Sequence, residues 1–146
     1  NQEHVPELGG LDEESFEALL RNASMVRMVA GESADSAVAL MVVMLPDDRY
    51  DSPNFRWFCR HFDNFAYVDR IATAASARRR GIGSALYAVL EAWARNRGLT
   101  SIVCEVNLQP RNQSSIDFHH ACGFREVGQY IGRGKPVMMM RKMLQS

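Results

Sequence analysis

The chain has 146 residues, 47% of them hydrophobic and 23% charged, which is the balance of one ordinary globular domain. No apolar run approaches the roughly 18 residues of a membrane span, and the first residues have neither the basic nor the apolar region of a signal peptide. The net charge is zero, and basic residues are not interleaved with aromatic ones, which argues against a nucleic-acid surface. We therefore expect a single domain over residues 1–146, in the cytoplasm, without a membrane or nucleic-acid partner.

The first half of the chain is predicted to form a helix, a hairpin and a second, short helix. The first helix covers residues 12–22 with Asp12 as its N-cap, and apolar runs at 25–29 and 37–45 indicate the two strands of the hairpin. Pro53 suits the first position of the short helix that follows.

The second half is predicted to alternate strands and helices. Strands are expected at 65–73, 101–106, 124–131 and 136–144, and helices at 82–97 and 113–121. The fold class is therefore α+β, with a mostly antiparallel sheet and one β-α-β unit in its middle.

Charge is unevenly divided between the two halves. Residues 1–64 contain 12 Asp or Glu and 5 Lys or Arg, whereas residues 65–146 contain 5 and 12. The basic half suits an anionic ligand, and the acidic half suits a cationic one.

The three cysteines, Cys59, Cys104 and Cys122, are widely spaced and lie in apolar surroundings. They form no pair or cluster with metal-ligand spacing, so we expect buried, reduced thiols and no metal site.

The strongest functional signal is a glycine-containing loop between the strand at 65–73 and the helix at 82–97. Gly81 and Gly83 let backbone amides approach an anion closely, and these amides lie at a helix N-terminus, which favours phosphate. The arginines Arg78–Arg80 add positive charge at the same end.

Other interpretations of this loop fit less well. A Walker loop requires a Lys that is missing after Gly83, and a dinucleotide-binding fingerprint requires a third Gly. A turn whose arginines are simply solvated remains an alternative, as does a small nucleic-acid-binding domain that uses Arg78–Arg80.

Two motifs resemble those of one enzyme family. Arg78-x-x-Gly81-x-Gly83 is similar to the Gln/Arg-x-x-Gly-x-Gly/Ala signature of the GNAT (GCN5-related N-acetyltransferase) superfamily, and Tyr67–Thr73 resembles the strand before it. Asn112-x-x-Ser115-x-x-Phe118-His119-x-x-x-Gly123-Phe124 is similar to the second segment of the family. The resemblance covers at least residues 23–144 and is closest to small, bacterial-type GNAT proteins.

The resemblance implies a fold and a site for acetyl-CoA. In the family, the strands that correspond to 65–73 and 101–106 splay apart, and the pantetheine arm of coenzyme A lies between them. The cofactor residues it implies are Ile71, Ala72, Thr73, Arg78, Arg79, Arg80, Gly81, Ile82, Gly83, Ser84, Ala85, Asn112, Ser115 and Phe118. For Asn112, a helix cap is the structural alternative.

The resemblance also suggests catalytic residues. A primary amine must lose a proton before it attacks a thioester, and Asp69 lies where family members often place an acidic base. Strand alternation predicts that Asp69 shares a face with Tyr67 and Ile71, while an ion pair with Arg70 is the alternative role. His119 occupies the position of the Tyr that often protonates the leaving thiolate, and a structural role is its alternative.

The acceptor site is expected to be built from the first helices, residues 47–62 and the final hairpin. Glu105 and Asn107 would line it from the end of their strand, although Glu105 also suits a buried partner of an arginine. The aspartates of this region, Asp47, Asp48, Asp51 and Asp63, suit a cationic amine. The aromatic residues here and Met138–Met140 are expected to be mostly core.

The predicted function is transfer of an acetyl group from acetyl-CoA to a primary amine of a small molecule or peptide, by direct attack and without a metal. A GNAT-like module that binds acyl-CoA with little catalysis is the alternative. The usual first strand of the family has no evident counterpart before residue 12, which would expose a sheet edge and favour a homodimer.

Overall fold

A computed structural model describes residues 13–31, 37–78 and 80–145 of the chain. The described residues form helices α1 (Glu13–Asn22), α2 (Pro53–His61), α3 (Ile82–Asn96) and α4 (Gln113–Ala121). They form strands β1 (Met25–Ala30), β2 (Ala37–Met44), β3 (Phe65–Thr73), β4 (Ser101–Asn107), β5 (Arg125–Ile131) and β6 (Pro136–Met143). The predicted cap at Asp12, the hairpin turn, the question of a missing first strand and Arg79 lie outside the described residues.

The predicted elements are confirmed with small shifts of their ends. Helix α2 begins at Pro53 and is capped by Ser52, whose Oγ accepts a hydrogen bond from the Phe55 amide at 3.3 Å. A short 3₁₀ turn, Ala75–Ala77, lies within the predicted loop after β3.

The strands form one sheet in the order β1-β2-β3-β4-β6-β5. Every neighbouring pair is antiparallel except β3 and β4, which α3 connects as a parallel pair. The expected α+β class, mostly antiparallel sheet and central β-α-β unit are thus confirmed. Strands β1 and β5 form the two edges of this sheet, and the expected homodimer stays a prediction.

Helices cover both faces of the sheet. Helices α3 and α4 pack on one face, where Leu86, Leu90 and Ile116 are buried against the sheet. Helices α1 and α2 pack on the other, where Phe16, Leu19, Phe55, Trp57 and Phe58 are buried. We call these the α3/α4 face and the α1/α2 face.

A β-bulge in β3 changes the predicted side-chain alternation. Arg70 is paired with Val42 and Val68 with Val43, so Asp69 is an extra residue on this strand. Tyr67 belongs to the core of the α1/α2 face, whereas Ile71 packs against that of the α3/α4 face. The prediction that Asp69 shares a face with both is therefore wrong for Ile71, because the bulge shifts the alternation by one residue.

The cysteines are free thiols, as predicted, but they are not all buried. Cys104 is buried, Cys122 is half-buried and Cys59 is exposed. Cys59 points to solvent because the neighbouring apolar residues Trp57 and Phe58 turn towards the core. The methionines Met138–Met140 are buried in the sheet, as predicted.

Candidate functional site

The centre of the sheet contains a gap between two neighbouring strands. Strand β3 has nine residues and β4 has seven, yet they are paired only over Phe65–Tyr67 and Ser101–Val103. Beyond these residues the two strands diverge, as the family resemblance implies.

Backbone groups of β3 face this gap. The Ala74 amide donates to the Val38 carbonyl of β2 at 2.7 Å. Because the backbone groups of successive strand residues point to opposite sides, those of Thr73 and Ile71 point away from β2. The Thr73 carbonyl accepts a hydrogen bond from Arg78 Nε at 3.1 Å, which fixes this arginine at the mouth of the gap.

The N-terminus of α3 lies beside the same gap. Gly81 precedes the helix in a left-handed conformation with φ 75°, which glycine adopts without strain. The Ala85 amide donates to the Gly81 carbonyl at 3.0 Å, so the amides of residues 82–84 have no carbonyl partner within the helix. This arrangement is suited to an anion.

Gly83 has a packing role that the sequence did not reveal. A Cβ at this position would lie 2.9 Å from Cζ of Phe118, so only glycine lets α3 approach α4 this closely.

A cavity of about 700 Å³ connects the gap, the N-terminus of α3 and α4. It is lined by eleven of the predicted cofactor residues: Ile71, Ala72, Thr73, Arg78, Gly81, Ile82, Gly83, Ser84, Asn112, Ser115 and Phe118. Arg80 and Ala85 do not line it. Asn112 also caps α4, since its side chain accepts from the Ser115 amide at 3.2 Å, so its structural alternative is confirmed.

His119 also lines this cavity, and its ring is held by hydrogen bonds to Ser115 and Tyr87. Its Nδ1 lies 2.7 Å from the Ser115 carbonyl, and its Nε2 lies 2.7 Å from the Tyr87 hydroxyl. Since a carbonyl only accepts, Nδ1 carries the proton and Nε2 accepts from Tyr87 in the neutral ring. Burial lowers the pKa of His119 and raises that of Tyr87, so the ring stays neutral and the hydroxyl stays protonated.

Two carboxylates lie on the α1/α2 face beside the gap. Asp69 pairs with Arg70 at 2.9 Å and accepts a hydrogen bond from the Tyr50 hydroxyl. Glu105 accepts a hydrogen bond from the Tyr67 hydroxyl at 2.7 Å. The ion pair that the sequence left open for Asp69 is present, whereas Glu105 has a tyrosine where an arginine was considered.

The environment of Glu105 changes its protonation. Burial raises the pKa of Glu105 to about 7, and the negative charge of Asp69 acts in the same direction. Hydrogen bonds from Tyr67 and Asn54 oppose this increase only in part. Glu105 is therefore a carboxyl group that can exchange a proton near neutral pH.

A second cavity, of about 970 Å³, opens on the α1/α2 face. Arg70 lines this cavity, whereas the next residue, Ile71, lines the first one, so the two cavities lie on opposite sides of β3 at the gap. Residues of α1, the start of α2 and the final hairpin form its walls, and Asn107 lines it. These are the segments expected for the acceptor site, which stays a prediction. Neither carboxylate is in its wall, but Tyr50 and Asn54, which contact Asp69 and Glu105, both are.

The charge of the second cavity differs from the prediction. Among the residues that the structure describes, its basic lining side chains are Arg49, Arg70, Arg133 and Lys135, and the one lining carboxylate is Asp51. Asp51 pairs with Arg56, and Asp48 accepts hydrogen bonds from Ser24 and from the Leu45 amide. Asp47 and Asp63 are not in its wall. The described lining of this cavity is thus mainly basic, unlike the acidic acceptor site expected from the sequence, because two of the aspartates are used in local structure and the hairpin adds cations.

Among the residues that the structure describes, no three His, Cys, Asp or Glu side chains are grouped so as to hold a metal ion. Nor does any helix of the described ranges have the length and apolarity to cross a membrane.

Comparison with known proteins identifies the family of this chain. The chain matches the Acetyltransferase (GNAT) family over residues 5–124 and belongs to that family.

Individual proteins resemble the chain in sequence or in fold. The chain is 39% identical over 74 residues to an aminoglycoside N(6')-acetyltransferase type 1 from Klebsiella aerogenes, a match that covers 51% of this chain and 47% of that protein. The chain thus spans about half the length of this relative. The ribosomal-protein-S18-alanine N-acetyltransferase of Escherichia coli shares the fold with a TM-score of 0.69 at 15% identity, over 93% of this chain and 79% of that one. A Bacillus anthracis protein in complex with acetyl coenzyme A also shares the fold, with a TM-score of 0.58 at 17% identity, over 77% of this chain and 59% of that one.

Proposed function

We propose that this protein is an acetyl-CoA-dependent N-acetyltransferase that acts on a primary amine. The single observation that carries the proposal is the gap between β3 and β4, with one cavity at the N-terminus of α3 on one side of β3 and a second cavity on the other side. A thioester held in the gap would be accessible to an amine from the α1/α2 face.

The residues of the first cavity fit coenzyme A. The backbone groups of Ile71 and Thr73 suit the amides of pantetheine, and the free amides at the start of α3, with Arg78, suit the pyrophosphate. The arginine Arg80, whose exposed side chain lies outside the cavity wall, adds positive charge near the same end. Bound acetyl-CoA would supply an activated acetyl group, and the protein would have to bind the amine and remove its proton.

We assign the removal of the amine proton to Glu105. A base is most effective when its pKa is near the working pH, and that of Glu105 is about 7. The amine nitrogen then forms the new bond to the acetyl carbon, the carbon–sulfur bond breaks, and the proton reaches Glu105 through water beside Asn54. Asp69, already paired with Arg70 and Tyr50, would orient these two groups. Asp69 as the base, the assignment from the sequence, is the competing proposal.

We assign no proton transfer to His119. Its Nε2 accepts from Tyr87, and its Nδ1 proton is directed at the Ser115 carbonyl. His119 would position the Tyr87 hydroxyl beside the cofactor cavity, and the leaving thiolate would take its proton from water.

The test is the release of coenzyme A thiol from acetyl-CoA in the presence of a panel of amines, followed from pH 5 to 9. For an accepted amine, we expect kcat/KM to rise through about pH 7. Glu105→Gln should reduce kcat by roughly 10²–10⁴-fold and remove this rise, whereas Asp69→Asn should retain it. If Asp69→Asn removes the rise and Glu105→Gln does not, Asp69 is the base. Binding of acetyl-CoA with no release for any amine would instead favour the non-catalytic module.

A further inference from the structure

The charge of the second cavity points to a particular class of acceptor. Arg49, Arg133 and Lys135 line its wall, and their side chains form no ion pair or hydrogen bond with the residues that the structure describes. Arg70 also lines the wall, but its charge is matched by Asp69. Asp51, the one carboxylate that the described residues place in the wall, is likewise matched, by Arg56. The described lining of the cavity therefore has an excess of positive charge.

The positive charge is separated from the carboxylates. Arg133 and Lys135 belong to the tip of the β5–β6 hairpin and are exposed, whereas Glu105 and Asp69 lie at the gap, behind Asn54 and Tyr50. A Cβ on Gly132 would lie 2.9 Å from the Cβ of Pro53, so the tip of the hairpin packs directly against the start of α2. This contact holds the cations at the rim of the cavity.

We propose, building on the acetyltransferase function above, that the acceptor is an amine that also carries an anionic group, a carboxylate or a phosphate. Its amine would face the gap, where Glu105 takes the proton, and its anionic group would bind Arg49, Arg133 and Lys135. Arginine and lysine are the usual partners of carboxylate and phosphate oxygens. A polycation, such as a polyamine or an aminoglycoside, would place several positive charges among these side chains and is disfavoured.

The test uses pairs of amines that differ in one charge. The release of coenzyme A thiol is measured with an amino acid and its carboxamide, with an amino sugar phosphate and the unphosphorylated sugar, and with spermidine and kanamycin. We expect the anionic member of at least one pair to have a kcat/KM at least tenfold higher than its neutral partner. The pair that responds distinguishes a carboxylate from a phosphate. For this substrate, KM should rise with salt concentration, as expected for binding by charge.

Substitutions at the rim of the cavity test which residues bind the anionic group of the substrate. Arg133→Ala and Lys135→Ala should each raise KM for the anionic substrate severalfold with little change in kcat, and the double charge reversal to Glu should abolish the preference. The control is Arg125→Ala, an exposed arginine of β5 outside the cavity, which should leave KM unchanged. Binding of the anionic amine without acetyl-CoA, measured by calorimetry, should weaken in the same variants.

The failure of this inference can be separated from that of the proposed function. If spermidine or kanamycin is acetylated at least as well as every anionic amine, and the rim variants do not alter KM, the inference is wrong and the acetyltransferase function stands. If acetyl-CoA itself is not bound, the proposed function fails, and the inference fails with it.

Discussion

Glu105 is the residue at which the fold most strongly alters ordinary side-chain chemistry. Its carboxyl group is placed on a central strand, close to the negative charge of Asp69 and with the Tyr67 hydroxyl as a hydrogen-bond donor. Burial raises its pKa from 4.5 to about 7. The same shift that suits Glu105 to proton transfer also makes the stability of the protein depend on pH.

The direction of this pH dependence follows from the raised pKa of Glu105. Between pH 4.5 and 7 the folded chain holds a proton on Glu105 that the unfolded chain has lost. The stabilisation is therefore complete below about pH 4.5 and is lost as the pH rises through about 7. Glu105→Gln should remove this loss, which amounts to up to about 3 kcal/mol in the free energy of unfolding.

Urea unfolding at pH 4.5, 6 and 8 measures the effect. The difference in unfolding free energy between Glu105→Gln and the native chain should grow steadily in favour of the variant as the pH rises. Glu126→Gln is the control, because Glu126 is exposed on β5. A constant difference between Glu105→Gln and the native chain would mean that Glu105 has an ordinary pKa.

The sequence predicted the positions of some of these residues and not of others. Patterns local to one segment, such as Pro53 at the start of α2 or Gly81 before α3, predicted the element ends. The anion site at the start of α3 stays a prediction. Arg133 lies far from Tyr50 and Asn54 in the chain and comes near them only because the final hairpin packs on α2, so no local pattern linked them. The bulge at Asp69 was missed because strand alternation assumes a regular strand.

At the level of elements, α3 and α4 meet in the wall of the first cavity. Gly83 on α3 and Phe118 on α4 both line it, and a Cβ on Gly83 would come within 2.9 Å of the Phe118 ring. Gly83→Ala should destabilise the chain by about 1–3 kcal/mol through overpacking, which exceeds the gain in helix propensity.

A substitution of Phe118 tests whether overpacking against its ring causes this loss of stability. Phe118→Leu shortens the facing side chain, so Gly83→Ala should cost at least 1 kcal/mol less in the Phe118→Leu background than in the native one. Unfolding in urea of the two single variants and the double variant gives this coupling energy. Additive effects would show that Gly83 is required for a reason other than its contact with Phe118.

At the level of the whole molecule, the sheet separates two cavities, and the gap between β3 and β4 lies between them. The α3/α4 face has helix amides and Arg78 beside the first cavity, and the α1/α2 face has two carboxylates and a basic rim near the second. The overall composition did not predict this division, since Asp48 and Asp51 of the acidic first half are paired within local structure.

The most direct test of this account is calorimetric titration with acetyl-CoA of the native chain and of two variants at Gly81. No atom lies within 4 Å of a Cβ built on Gly81, and Asn and Asp both tolerate its left-handed conformation, so Gly81→Asn and Gly81→Asp should fold alike. We expect binding to the native chain, near-native binding to Gly81→Asn, and a loss of at least tenfold in affinity for Gly81→Asp, whose charge opposes the pyrophosphate. A native chain that is folded but binds no acetyl-CoA, or equal binding by the two variants, would contradict the placement of the cofactor at the start of α3.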